Sequence, residues 1–227
     1  MSALGFLLAV LVLAGPAAGQ QKFEPNVDSR REAIRKGQVK EFLSAMETMA
    51  SEAEARKDWE SAGWAYSEAS FATRSLGQLE KALSHASKAL DMGVKAKNPG
   101  IQANAIMWLG MAYADIGKPE KEREWLTKGL EIIKQIPPDR GREFMEGRIY
   151  RQLGQNYLLQ NDTQRAIEYI SCSVQALESY VSYLQRTRVY NPRARQTIQQ
   201  IEAQIVNGFS QLGTAYLKAG KDRKSVV

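Results

Sequence analysis

The stretch Ile106-Met107-Trp108-Leu109-Gly110-Met111-Ala112-Tyr113 recurs twice, in altered form, later in the chain. The other two copies are Tyr150-Arg151-Gln152-Leu153-Gly154-Gln155-Asn156-Tyr157 and Phe209-Ser210-Gln211-Leu212-Gly213-Thr214-Ala215-Tyr216. Each copy has a large apolar residue, two variable positions, Leu-Gly, two variable positions and Tyr. A turn-forming residue follows each copy at the same interval, namely Gly117, Asn161 and Gly220. Because glycine lets a neighbouring helix approach closely while leucine fills the space between helices, the pattern predicts stacked helices.

The sequence around these copies also has a helical period. From Val27 onward it is rich in Ala, Leu, Glu, Lys and Gln, and it lacks the sustained apolar and polar alternation that is typical of strands. Turn formers divide it at Leu76-Gly77, Lys97-Asn98-Pro99-Gly100, Gly117-Lys118-Pro119, Pro137-Pro138, Asn161-Asp162 and Asn191-Pro192. We therefore predict an all-α protein whose short connections make neighbouring helices antiparallel.

The three copies resemble the first helix of a tetratricopeptide repeat. The segment Ala166-Ile167-Glu168-Tyr169-Ile170 is similar to the second helix, since a small residue is followed by a large one four positions later. The resemblance implies a right-handed α-solenoid of antiparallel helix pairs. The successive intervals from Ser70 to Gly110, from Gly110 to Gly154 and from Gly154 to Gly213 lengthen along the chain. Each interval is longer than the family's usual repeat. Extended repeats and an irregular superhelix are therefore predicted.

These patterns divide the chain into five parts. Residues 57–221 are predicted to form the repeat array, and residues 28–56 one long amphipathic helix that caps it. Residues 222–227 do not continue the repeat pattern. DNA that encodes these six residues, followed by a stop codon, resembles a common sequencing adapter. We expect a non-native tail there, and an N-terminal fragment of a longer, exported, bacterial-type protein. Residues 20–27 are a linker and residues 1–19 a targeting segment.

Residues 1–19 carry no charged side chain and contain an apolar run from Leu4 to Ala14. Small residues at Ala17-Ala18-Gly19 suit a signal peptidase, so we expect cleavage after Gly19 and a periplasmic or secreted mature protein. The alternative is that the segment is kept as a membrane anchor, for which the apolar run is short. After cleavage, no stable membrane insertion is expected.

Composition disfavours several classes of chemistry. The net charge is only +6, and the lysines and arginines are interspersed with 25 acidic residues instead of forming a basic run. This pattern argues against a nucleic-acid partner. His85 and Cys172 are the only residues of their types and lie on second helices two repeats apart, so they cannot form a catalytic dyad or a zinc cluster. A solvated face is predicted for the charged residues Glu120, Lys121, Glu122, Arg123, Glu124 and Lys128. The sequence predicts no catalytic residue, cofactor or metal site, and therefore no enzyme.

In tetratricopeptide arrays the first helices line a concave groove. Carried over by register, this resemblance places ten candidate ligand-binding residues on the groove: Trp64, Phe71, Asn104, Met107, Met111, Arg148, Arg151, Gln155, Asn207 and Thr214. Such a groove would take a peptide or helix with hydrophobic anchors and an acidic group. The alternative is that the aromatic and methionine side chains are packing residues.

The resemblance implies a non-catalytic scaffold that binds a protein or peptide ligand. The alternative is a sensor arm whose effector lies beyond this fragment, as in bacterial proteins that join such repeats to a CHAT-type protease domain. A helical cell-wall enzyme is disfavoured because it needs a separate catalytic lobe. The last helix, expected from Arg193 to Ala219, carries an apolar stripe that its neighbour covers on one side only, so self-association through this uncapped helix is also expected.

Overall fold

The computed structural model describes residues 27–137, 141–187 and 192–224. The predictions made for residues 1–26, and for 225–227 of the tail, lie outside these ranges. Within them the chain forms helices and no strand, which confirms the all-α prediction. The helices are α1 (Val27–Arg35), α2 (Val39–Ala55), α3 (Trp59–Ser75), α4 (Leu79–Lys95), α5 (Pro99–Asp115), α6 (Pro119–Ile133), α7 (Arg142–Leu159), α8 (Thr163–Thr187) and α9 (Pro192–Lys224).

The turns of the first half recur at a constant interval along the sequence. A left-handed backbone conformation ends five successive helices, at Gly37, Lys57, Gly77, Lys97 and Gly117, with φ between 51° and 76°. At each turn the following residue donates its backbone N–H to a carbonyl five positions earlier, which satisfies the end of the preceding helix. Four consecutive helices, α2 to α5, are therefore all 17 residues long, and successive helix pairs have the same length.

The start of the array differs from the prediction. Instead of one helix over residues 28–56, the structure has α1 and α2, separated by Gly37 with a φ of +69°. The sequence Lys36-Gly37-Gln38 lacks proline, and a single glycine is by itself compatible with a continuous helix. Since Gly37 occupies the position at which glycine ends the later helices, α1 and α2 form a shortened first pair.

The end of the array also differs from the prediction. The turn expected around Gly220 does not form, and α9 continues to Lys224, three residues into the predicted tail. Gly220 lies within this helix, with open space where a Cβ atom would lie. A glycine within an exposed helix costs only about 1 kcal/mol, which the surrounding Leu, Lys and Ala residues offset.

The glycines of the repeated motif have the predicted packing role in two of three copies. A Cβ atom on Gly110 would lie 2.9 Å from Leu126 Cδ2, and one on Gly154 would lie 2.5 Å from Ile170 Cγ1. In both pairs the second helix therefore packs directly against the glycine of the first. Gly213 has no heavy atom within 4 Å of that position, so no second helix covers this face of α9 among the described residues.

The prediction of a solvated face on α6 is confirmed for two surface ion pairs and is wrong for Glu122. Glu120 pairs with Arg123 and Glu124 with Lys128 at the surface. Glu122, in contrast, is buried and accepts a hydrogen bond from the side-chain amide of Asn156 on α7, which also accepts one from Arg123. The position is the small-residue slot of the helix pair, and burial there raises the pKa of the Glu122 carboxyl.

The side chain of His85 on α4 contacts residues of both α2 and α3. Its Nε2 lies 3.3 Å from Glu47 Oε1, and its ring stacks on Tyr66 at 6.2 Å between centroids. Burial lowers the pKa of the imidazole from its ordinary 6.5; the Glu47 carboxylate opposes this shift, while Lys88 and Lys81 act in the same direction as burial. The neutral ring is therefore the form that the fold favours.

Acidification should consequently weaken the fold through this residue. Because the unfolded chain takes up a proton at the ordinary pKa of 6.5 and the folded chain only below it, the stability held above pH 6.5 is lost as the pH falls through the lower, folded-state value. Urea unfolding between pH 7.5 and 5 should show a smaller loss for His85→Gln than for the wild type. An equal loss in both proteins would contradict this assignment.

Candidate ligand-binding groove

The first helices of successive pairs pack side by side. Helix α3 contacts α5, and α5 contacts α7, while α4, α6 and α8 each contact the first helix of their own pair. We call the side-by-side set α1, α3, α5 and α7 the inner row. Arg30 on α1 reaches Glu68 on α3, which places α1 at the start of this row.

Charged and aromatic side chains meet where α1, α3 and α5 adjoin. Arg30 Nη1 donates to both carboxylate oxygens of Glu68, at 3.2 and 3.4 Å. Its guanidinium also lies over Phe71, 4.9 Å from the ring centroid, and near Trp108 at 5.9 Å. Burial raises the pKa of the Glu68 carboxyl, and the adjacent Arg30 opposes that shift. Glu68 thus has a charge partner inside the row.

Two further arginines lie along the row, and no carboxylate among the described residues contacts either of them directly. Arg148 on α7 donates a long hydrogen bond, 3.4 Å, to the neutral side chain of Asn104. Arg151, one turn later, forms no ion pair with the described residues, and its buried Nε has no hydrogen-bond acceptor. Burial lowers the pKa of Arg148 to about 9; the positive charges of Arg30 and Arg151 push it in the same direction, and Glu68 opposes them. Among the described residues, Glu68 interacts with Arg30 and Arg148 and not with Arg151, so this part of the row carries excess positive charge.

Other polar atoms on α3 and α5 also lack partners. The hydroxyl oxygen of Ser67 and the indole Nε1 of Trp108 are buried and have no hydrogen-bond partner among the described residues. Buried polar groups in folded proteins are nearly always hydrogen-bonded.

The ten predicted groove residues have different positions in the structure. Phe71, Asn104, Met111, Arg148 and Arg151 lie on the inner row near the features above. Trp64 and Gln155 are half-buried on α3 and α7. Met107, at 1% exposure, packs within the central core and supports the row from behind, as the packing alternative expected.

Asn207 and Thr214 lie apart from this group. Both are exposed on α9, where Gln211 donates to Asn207 Oδ1 at 2.8 Å and Thr214 donates to the Ser210 carbonyl at 3.1 Å. Their hydrogen bonds thus stay within one helix. Their place on the groove stays a prediction, and no hydrogen bond or ion pair among the described residues links them to the arginines.

Sequence reasoning missed Arg30, Glu68 and Trp108. Arg30 falls within the predicted capping helix, because Gly37 alone is a weak turn signal. The spacing from Arg30 to Ser70 equals the spacing from Ser70 to Gly110, so the repeat interval was a usable signal. Glu68 was detectable as an acidic residue among the small residues Ser67, Ala69 and Ser70.

The described part of the chain contains no group of three or more His, Cys, Asp or Glu side chains placed to hold a metal ion. None of its helices is long and apolar enough to cross a membrane.

The fold and the row define a helical repeat protein, an all-α solenoid of antiparallel pairs in which each unit contacts its neighbours. The model of the tetratricopeptide repeat family matches residues 103–136, which cover most of α5 and all of α6, and the predicted resemblance is thereby confirmed. No curated protein matches the chain.

Solved structures with similar folds include two from different organisms. One is a protein of Podosopora anserina described as a kinesin light chain with nearly identical TPR-like repeats; it is 17% identical, with 87% of this chain and 91% of that chain covered and a TM-score of 0.46. The other is BtubC (BKLC) from P. vanneervenii, 12% identical, with 86% and 87% covered and a TM-score of 0.47.

Proposed function

We propose that this protein is a non-catalytic interaction scaffold that binds an acidic segment of a protein partner along the inner row. The observation that carries the proposal is the pair Arg148 and Arg151, two half-buried cations with no carboxylate in direct contact among the described residues. Buried charge is costly unless it is paired. A carboxylate from a partner would supply that pairing, and Phe71 and Met111 would supply apolar contacts beside it.

Selection of peptides from a random displayed library tests this function. Peptides retained by the immobilised protein should be enriched in Asp or Glu next to an apolar residue. Changing the acidic residue of a selected peptide to its amide should weaken binding by about tenfold or more, measured by calorimetry. Enrichment of peptides without acidic residues would contradict the proposal.

A second candidate role is a regulatory arm that docks another domain or a second copy on α9. Val206, Phe209, Tyr216 and Leu217 are 53–71% exposed on this helix, which favours a covered state. Hydrogen exchange separates the two roles, since a partner on the inner row protects amides of α3, α5 and α7, whereas a partner on α9 protects that helix.

The N-terminal segment leads us to propose export. A mature protein that begins at Gln20 is expected in a periplasmic or secreted fraction, because the small residues before it suit signal cleavage. N-terminal sequencing of that fraction checks this start. A retained Met1 in a membrane fraction would instead favour an anchor.

A further inference from the structure

Two aromatic rings and one carboxylate form a recess that holds a guanidinium group. We call Glu68, Phe71 and Trp108 the aromatic recess. The two rings lie 5.6 Å apart at an angle of 59°, and Glu68 is 7% exposed beside them. The present occupant, Arg30, makes ring contacts with both aromatic residues and hydrogen bonds with both carboxylate oxygens. These are the interactions that planar guanidinium groups make most favourably.

Apart from Arg30, the described side chains of α1 are mostly exposed. Among the α1 side chains that the structure describes, only Ala33 is buried, and Ile34 is 51% exposed. The Glu32–Lys36 ion pair lies at the surface and joins α1 to the residue that directly follows it. A helix of nine residues is too short to be stable alone in water. Among the described side chains of α1, Arg30 therefore makes the principal contacts with the inner row.

We propose that the aromatic recess is a binding site for an arginine side chain of a partner protein, and that Arg30 occupies it as an internal competitor in the free protein. An incoming guanidinium repeats the contacts of Arg30, so the charge balance around Glu68 and the nearby Arg148 is unchanged by the exchange. Lysine cannot repeat them, because an ammonium group lacks the planar fork that contacts both carboxylate oxygens. The site shares Phe71 with the proposed acidic-ligand site, but the contacts that hold the guanidinium group come from Glu68, Phe71 and Trp108 and do not involve Arg148 or Arg151.

The indole N–H of Trp108 provides a local signal for the test. Its resonance in ¹⁵N-labelled protein is assigned by loss of the peak in Trp108→Phe, and the probe is N-acetyl-L-arginine amide. Arg30→Ala should bind the probe at concentrations about tenfold or more below those that the wild type needs, because a tethered internal ligand competes at an effective concentration of roughly millimolar. Binding to the wild type should also speed hydrogen exchange in α1.

Matched controls isolate the charge and the recess. N-acetyl-L-citrulline amide has nearly the same shape without the charge and should not bind. Arg35→Ala removes an exposed arginine from the same helix and should behave as the wild type. Glu68→Gln, combined with Arg30→Ala, should abolish binding of the arginine probe. Arg30→Met, which keeps an unbranched stem against the rings, replaces Arg30→Ala if the alanine variant does not fold.

Two results would overturn the inference. One is equal binding of the arginine and citrulline probes to a folded Arg30 variant. The other is the absence of any Trp108 response in that variant. A double Arg148→Gln/Arg151→Gln variant should keep the response to the arginine probe, so failure of acidic-peptide binding and failure of arginine binding are distinguishable.

Discussion

Replacing Gly154 by leucine is expected to lower the free energy of unfolding by about 3 kcal/mol or more, the upper range for overpacking a core. Even the first added atom would lie 2.5 Å from Ile170 Cγ1 and 3.1 Å from the backbone nitrogen of Ile170. The Ile170 side chain can rotate away from the added atom, but the backbone at Ile170 can give way only if the whole of α8 shifts. Urea unfolding followed by circular dichroism measures the loss.

Gly213 provides the matched control, because it occupies the same position of the same motif without a neighbour. Gly213→Ala should raise the unfolding free energy by about 0.5–1 kcal/mol, since alanine favours the helix and meets no atom within 4 Å. A destabilised Gly213→Ala variant would show that another helix covers α9 in solution. Equal effects at Gly154 and Gly213 would contradict the packing account of the motif.

The double substitution Arg148→Gln/Arg151→Gln should weaken binding of an acidic peptide by about 2–5 kcal/mol, the range for truncating one side of a buried charge pair. Both side chains are half-buried, so their attraction for a carboxylate is less screened than that of exposed charges. The unfolding free energy should stay constant or increase, because the substitution removes two half-buried cations that no carboxylate contacts directly in the described part of the free protein. Calorimetric titration and urea unfolding check the two effects.

Lys40→Gln/Lys118→Gln removes the same amount of charge from exposed positions on α2 and on the turn before α6. It should change peptide binding little, since exposed charges act through high-dielectric water. Arg123 is unsuitable for this comparison because it donates to Asn156 at 2.7 Å. Equal weakening by both double variants would mean that general charge attracts the peptide and that the inner row is not its site.

Most of the fold follows from local sequence signals. Asn98 illustrates why: its side chain accepts from the backbone N–H groups of Gly100 and Ile101, and Pro99 follows it at the first helical position, so the start of α5 is encoded locally. The predictions at Gly37 and Gly220 are wrong because a single glycine is compatible with both a turn and a helix, and neither glycine has a heavy atom within 4 Å of the position of a Cβ atom that would distinguish the two.

The site was less predictable than the fold. The repeat register placed Arg148 and Asn104 on the same row, and the structure joins them by a hydrogen bond. Arg30 and Glu68 are far apart in the sequence, and their pairing depends on α1 lying beside α3. Register specifies which face of a helix a residue occupies, but it does not specify which charges of different helices meet, nor that Met107 lies too deep to contact a ligand.

The constant length of the helix pairs has a consequence for the spacing of side chains in a bound peptide. Phe71 and Met111 lie one pair apart, at equivalent positions on α3 and α5. Packed helices have axes about 8–10 Å apart, and an extended chain advances about 3.3 Å per residue. A peptide that crosses the row at right angles to the helices would thus meet a new helix at about every third residue. Its recognition pattern would have a period of three, with the acidic side chain one period beyond the side chain that contacts Met111.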